Sequence, residues 1–310
     1  MLFHSVVCKA NPVKYPRIFH HEGAVPSMHR MMVCFACITA LLAPMKTIRQ
    51  SGRVFPAHTG LLLVARNHDG VALAADGAQV NADGTISQAQ KIFQVGKFGA
   101  VALAGSTSFQ DPVSKPVRGQ VDAAGLTAAW LNAHAQATVD TAERELTAVL
   151  ARELNQFFST RNPGASAGGY NLAVIFAGYA DGKFFLKGTK FFLTATKAKP
   201  VRTEPISDGP AAGEVWAFGV VSVEKVLMAG NSAALTKFAA EPAVQKIRSG
   251  TQESAAITDY MQAFDTILQA TESPEGKKIA GGKPAVAAPN KIASISMKDG
   301  FAWSQPHGSL

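Results

Sequence analysis

Between Thr59 and Gly105 the chain reads TGLLLVARNHDGVALAADGAQVNADGTISQAQKIFQVGKFGAVALAG. In this largely apolar stretch a hydroxyl (Thr59), a carboxylate (Asp76) and an ammonium (Lys91) stand at places that suggest chemistry. An unassisted hydroxyl is a weak nucleophile and needs a base before it attacks a carbonyl. Each residue also has an ordinary local reading. Thr59 can simply open a strand, where threonine is common. Asp76 precedes Gly77 at a strand end and suits a turn, and Lys91 suits a solvated strand entry. The other chemistry-bearing spacing is Cys34-Phe-Ala-Cys37, that of a redox motif or half a zinc site. Its neighbours are apolar and Cys8 is the only further cysteine. No second pair completes a site, so no metal and no other cofactor is expected.

The elements that must position these groups follow from pattern. LLLVAR and VALAAD are β-prone runs flanking NHDG, a hairpin turn in which Asp69-Gly70 is expected to supply positive φ angles. KIFQV and GAVALA form a second such pair around Gly96-Lys97. Their near-continuous apolarity predicts strands covered on both faces. Ser106 to Gln120 is polar and proline-containing and reads as a loop. In the helical stretch that follows, Val139, Ala142, Leu146, Val149, Leu150, Leu154 and Phe157 recur at three- and four-residue steps, opposite Glu143, Arg144, Glu145 and Arg152. NPGASAGG, Asn162 to Gly169, ends it.

Strands are predicted again at Tyr170 to Gly178, at Lys183 to Thr196 around Asp181-Gly182, and at Glu214 to Gly219 after a proline-rich loop. Two further helices are predicted, Ser232 to Ala240 and Ser254 to Thr271. The second places Ile257, Tyr260, Met261, Phe264, Ile267 and Leu268 on one face, with Ser254 as N-cap. A Gly-, Lys- and Pro-rich loop then leads to a closing hairpin, Lys291 to Trp303, turning at Asp299-Gly300. Pattern alone supports mixed α and β. No solenoid repeat is evident, and no linker divides residues 59 to 303.

Taken in order, this run resembles proteasome-type subunits of the N-terminal nucleophile hydrolase superfamily. The shared features are a threonine on a first strand, a turn ending in Asp-Gly, an alanine-rich strand closing in an acidic residue (GVALAADG), a Lys-hydrophobic-Phe strand (QKIFQV) and a small-residue strand ending in Ala-Gly. YNLAVIFAGYADGKFFLKG resembles the family's central hairpin and NKIASISMKDGFAW its final one, so the likeness spans residues 59 to 303. It implies an α+β fold, a four-layer αββα sandwich. It also implies a precursor whose self-cleavage exposes Thr59 as nucleophile, with the new α-amine as base, Asp76 as orienting carboxylate, and Lys91 beside both Asp76 and Thr59. An α-amine titrates near 8, close to working pH, which suits that role.

The sequence departs from the pattern at several points. Thr59-Gly60-Leu61 replaces a run of threonines, and His58 replaces the usual preceding glycine. A gapless count back from Asp76 selects Gly60 as the nucleophile position, whereas a count from Lys91 selects Thr59. Ala229-Gly230-Asn231-Ser232 stands where a Gly-Ser pair is usual, and Lys277-Lys278-Ile279-Ala280 precedes Gly281-Gly282 where an Asp and a Ser are usual. Ser232 and Glu275 are the candidate substitutes. The leading expectation is a threonine-type hydrolase of peptide or small amide substrates. The alternative is a non-catalytic relative that keeps the fold as a structural or binding module. A homo-oligomer is compatible with either.

Residues 1 to 58 have a different character. They hold Lys9, Lys14, Arg17, Arg30, Lys46, Arg49 and Arg53 against the single acid Glu22, so most of the formal net charge of +8 lies there. All three cysteines lie there too. With no basic-aromatic surface pattern in the remainder, nucleic acid is not an expected partner. Met31 to Ala43 is an apolar run with basic flanks, too short for a relaxed membrane span and suited to a signal-peptide core. The expectation is export to a periplasmic or extracellular space, with no membrane association of the mature form. A cytoplasmic propeptide is the alternative. Residues 304 to 310 read as a tail.

Overall fold

The first hairpin joins β1 (Leu61–Arg66) to β2 (Gly70–Ala75), antiparallel with Leu63 opposite Ala74 and Ala65 opposite Ala72. The computed structural model describes residues 60–80, 86–110, 119–161, 169–194, 196, 198–206, 209–219, 222–229, 233, 235–249, 255–280 and 289–304. All of the described residues belong to one compact unit. Thr59, the whole of the amino-terminal extension, Ser232, Ser254 and Gly281-Gly282 lie outside the described residues.

After β2 come the short strands β3 (Ala78–Val80) and β4 (Ile86–Gln88), then β5 (Ile92–Val95), β6 (Gly99–Gly105), β7 (Ser108–Gln110) and β8 (Gln120–Asp122). Two helices follow, α1 (Ala123–Ala133) and α2 (Val139–Ser159), then β9 (Leu172–Ala180), β10 (Lys183–Leu193), β11 (Val201–Ile206) and β12 (Val215–Gly219). The chain continues through α3 (Ser222–Ala229), α4 (Thr236–Ala239), α5 (Pro242–Arg248), α6 (Ile257–Glu272) and α7 (Pro274–Ile279) to β13 (Lys291–Ser296) and β14 (Gly300–Ser304).

Two five-stranded antiparallel sheets carry the core, in the orders β12-β1-β2-β13-β14 and β11-β10-β9-β6-β5. The strands β3-β4 and β7-β8 form separate ribbons. Side chains alternate across a strand, and β1 shows the result. Leu61, Leu63 and Ala65 cluster with Phe264, Ile267 and Leu268 of α6, whereas Leu62 and Val64 cluster with Ala102 of β6 and Ile175 of β9. On the second sheet Val101, Leu103, Val174 and Phe176 pack with Leu146, Leu150 and Leu154 of α2. Strands β2 and β6 are buried at every position, as their unbroken apolarity predicts. The fold is thus α+β, with antiparallel sheets and helices sharing apolar clusters.

The two amino-terminal hairpins lie in different sheets and meet through their faces, with Leu62 and Ala102 in one cluster. Several local expectations change. Asp69 and Gly70 do not have positive φ. The turn is instead held by the Asn67 side chain, whose Oδ1 accepts from the backbone N–H groups of Asp69 and Gly70, each at 2.9 Å. Gly70 is needed for close approach, since a Cβ there would stand 2.2 Å from the Ile295 carbonyl oxygen of β13. The proline-rich loop before Glu214 contains β11, an edge strand on which Pro205 is tolerated because no ladder bond is required of it. The Ser106–Gln120 loop includes β7 and the first residue of β8, the predicted helix Ser254–Thr271 is present as α6, Ser232–Ala240 contains only the short α4, and α3, α5 and α7 are additional. Helix α6 starts at Ile257 with Ala256 as N-cap in place of Ser254. The Asp259 carboxylate accepts the Ala256 N–H at 2.8 Å, the N3-to-N-cap half of a capping box, and among the described residues no side chain caps the first-turn N–H groups in the way expected of Ser254.

Among the described residues no helix is long and apolar enough to cross a membrane.

Candidate functional site

Asp76 leaves the end of β2 with its backbone N–H donating to the Leu61 carbonyl at 3.2 Å, which fixes it beside the first residue of β1. Its carboxylate is saturated with donors. Oδ1 accepts from the Leu61 N–H at 2.7 Å and from Lys91 Nζ at 2.8 Å, and Oδ2 accepts from the Ala78 N–H at 2.9 Å. The Ala78 contact is the turn role that local sequence suggests for an aspartate before glycine. Asp76 therefore fills that role and the ion-pair role together.

Lys91 enters β5 with its carbonyl accepting from the Leu103 N–H at 2.8 Å, so its backbone belongs to the second sheet while its side chain crosses to the first. The solvated strand-entry reading fails, because the side chain is only 1% exposed. Two opposite charges are thus buried together at the mouth of β1. Such a pair carries a large desolvation penalty, offset only when further hydrogen bonds satisfy it. The carboxylate meets that condition. The ammonium makes one hydrogen bond among the described residues, to Asp76, and its other two donors are uncommitted there.

Those donors sit against Gly60, which has φ +75°. A Cβ at position 60 would lie 2.2 Å from Lys91 Nζ and 2.6 Å from Asp76 Oδ1. The ammonium occupies the space of the missing side chain. Position 60, which the count from Asp76 selects, therefore offers a contact with lysine but neither a reactive group nor room for one. The structure brings Asp76 and Lys91 together, and Gly60 with them; Thr59, the next residue upstream, is not described.

Three side chains near this mouth were not anticipated. Tyr170 lies just before β9, and its Oη accepts from the Gly219 N–H at 2.6 Å, at the end of the ladder where Gly219 faces Leu61. Burial pushes its phenol up to about 12, with the Gly219 hydrogen bond acting the other way. Glu272 closes α6, four residues beyond the buried Leu268, and Asn290 immediately precedes β13. Burial raises the Glu272 carboxyl above the usual range, Asn290 opposes that, and the Asp76 charge adds to it. Both Glu272 Oε1 and Asn290 Oδ1 are buried without a hydrogen-bond partner. The step from Tyr260 through Phe264 and Leu268 to Glu272 was the available signal, since it carries a carboxylate onto an apolar helix face. Glu275, the candidate substitute, is exposed on α7.

Among the described residues no group of three or more His, Cys, Asp or Glu is arranged to hold a metal ion. Neither a scan against protein-family models nor a search of curated proteins gave a match.

Proposed function

We propose that the chain is a threonine-type N-terminal nucleophile hydrolase, made as a precursor and exported, that cleaves peptide or small amide bonds once Thr59 has become the amino terminus. The layering that goes with this reading is an αββα sandwich. The observation that carries it is the buried Asp76–Lys91 pair, whose ammonium rests against Gly60, the residue that follows Thr59. In such a site the Thr59 hydroxyl attacks the substrate carbonyl and its own α-amine takes the proton. A neighbouring fixed ammonium favours the neutral, proton-accepting form of that amine and stabilises the developing oxyanion. Asp76 keeps Lys91 charged and aimed.

One observation favours the non-catalytic module instead: Lys91 fills the side-chain position of residue 60, where the gapless count would put the nucleophile. Hydrolysis of fluorogenic peptide amides separates the two. The hydrolase reading expects turnover by the processed chain that Thr59→Ala abolishes and Lys91→Ala reduces in a folded protein. Turnover undiminished in Thr59→Ala overturns Thr59 as the nucleophile, and no turnover by a chain shown to begin at Thr59 supports the module.

A further inference from the structure

The segment that leads into β13 is packed against the residues that follow β2. Lys291 pairs with Ala75 in the antiparallel register, which sets Asn290 beside Asp76. A Cβ on Gly77 would stand 2.6 Å from the Pro289 carbonyl oxygen. Glu272 meets Asn290 from the end of α6, so a polar path runs from Glu272 through Asn290 to the backbone around Asp76. Its two orphaned atoms, Glu272 Oε1 and Asn290 Oδ1, are both acceptors.

An ionised carboxylate beside a primary amide can accept one amide N–H and leaves its second oxygen and the amide oxygen without donors. A protonated carboxyl and an amide are complementary, because the acid O–H donates to the amide oxygen while the amide N–H donates to the acid carbonyl. A single proton removes both orphans, which are costly to leave buried without a donor. We propose that Glu272 holds this proton, donates it to Asn290 Oδ1, and so acts as a positioning residue for Asp76 that fails when Glu272 ionises. Burial, the largest influence, and the charges of Asp76 at the end of β2 and Asp265 on α6 oppose ionisation of Glu272; the Asn290 hydrogen bond and Lys277 on α7 favour it, and the balance lies on the side of the neutral acid. This role of Glu272 requires no nucleophile and is the same whether or not Thr59 is catalytic.

The test is hydrogen exchange of the Leu61 and Ala78 amides, the two backbone donors that Asp76 accepts, in the full chain. Their protection is followed as pH rises from 4.5, the ordinary glutamate value, relative to interior amides of β9 such as that of Val174. In the wild type the relative protection should fall about tenfold as Glu272 ionises, the equivalent of one pKa unit of coupling. Glu272→Gln should hold it high at every pH, and Glu272→Ala should lower it throughout. Carbon-13 labelling of glutamate carboxyls should show one resonance that titrates above the ordinary range and vanishes in Glu272→Gln. A constant wild-type ratio, a Gln variant that follows the wild-type slope, or a Glu272 resonance titrating in the ordinary range overturns the proposal.

Discussion

Asp76 and Glu272 are neighbouring acids at one end of the same core, and their surroundings treat them in opposite ways. Asp76 receives two backbone N–H groups and an ammonium, whereas Glu272 keeps one buried oxygen without any donor. Donor supply separates them more than depth does. A carboxylate with several donors and a counter-ion can stay charged out of water, while one with few donors is driven toward its neutral form. The first suits a residue that must aim a permanent charge, and the second a residue that exchanges a proton.

The largest effect is expected where that charge balance is broken outright. Asp76→Ala leaves the Lys91 ammonium buried and unpaired, together with two orphaned N–H groups, and should cost about 3–5 kcal/mol. Chemical denaturation measures it, and the double variant Asp76→Leu/Lys91→Met should be much less destabilised than the two single changes combined. Equal additive losses would show that the two charges are not coupled.

Gly60→Ala comes next. A non-glycine residue in the left-handed region costs about 1–3 kcal/mol, and here the new methyl group must also displace Lys91 Nζ. Thermal unfolding should register the loss, and a chain as stable as wild type would mean that the lysine does not rest there. Tyr170→Phe removes the acceptor of the Gly219 N–H, a loss of about 1–3 kcal/mol if that donor stays dry. The change should be confined to hydrogen exchange at the β1–β12 end, with the β13–β14 hairpin as internal control.

Glu272→Gln gives the smallest effect, and its sign depends on pH. Because the folded-state pKa of Glu272 is raised, the folded chain binds the proton more tightly than the unfolded one. The stabilisation it contributes is present below the ordinary glutamate value and is lost as pH rises through the folded value. Relative to wild type, the Gln variant should therefore gain stability as pH rises above 4.5. Melting curves recorded across that window that keep a constant offset would contradict the assignment.

The difference between the two acids also marks what could be read from the chain. Asp76 and Lys91 stand out because each bounds an apolar strand, Asp76 at the end of β2 and Lys91 at the entry to β5. Their meeting follows from two hairpins placed face to face, an arrangement that local periodicity does not determine and only the family likeness suggested. Thr59-Gly60 left two registers open, and the close approach of Lys91 to the backbone at position 60 has no sequence signal beyond the glycine itself. Glu272 was legible only as a four-residue step from Leu268, and Asn290 not at all, because its role depends on the β2–β13 register. β11 was hidden for a similar reason: Pro205 and the charged residues of VRTEPI resemble a loop until an edge position makes them acceptable.

The most direct test of the central claim is intact mass and amino-terminal sequencing of the protein purified from its native host, before and after exposure to an electrophile that traps amino-terminal threonine. A mature chain that begins at Thr59 and gains one adduct there, with the adduct lost in Thr59→Ala, is the predicted result. A chain that retains residues upstream of Thr59 and takes up no label would contradict it.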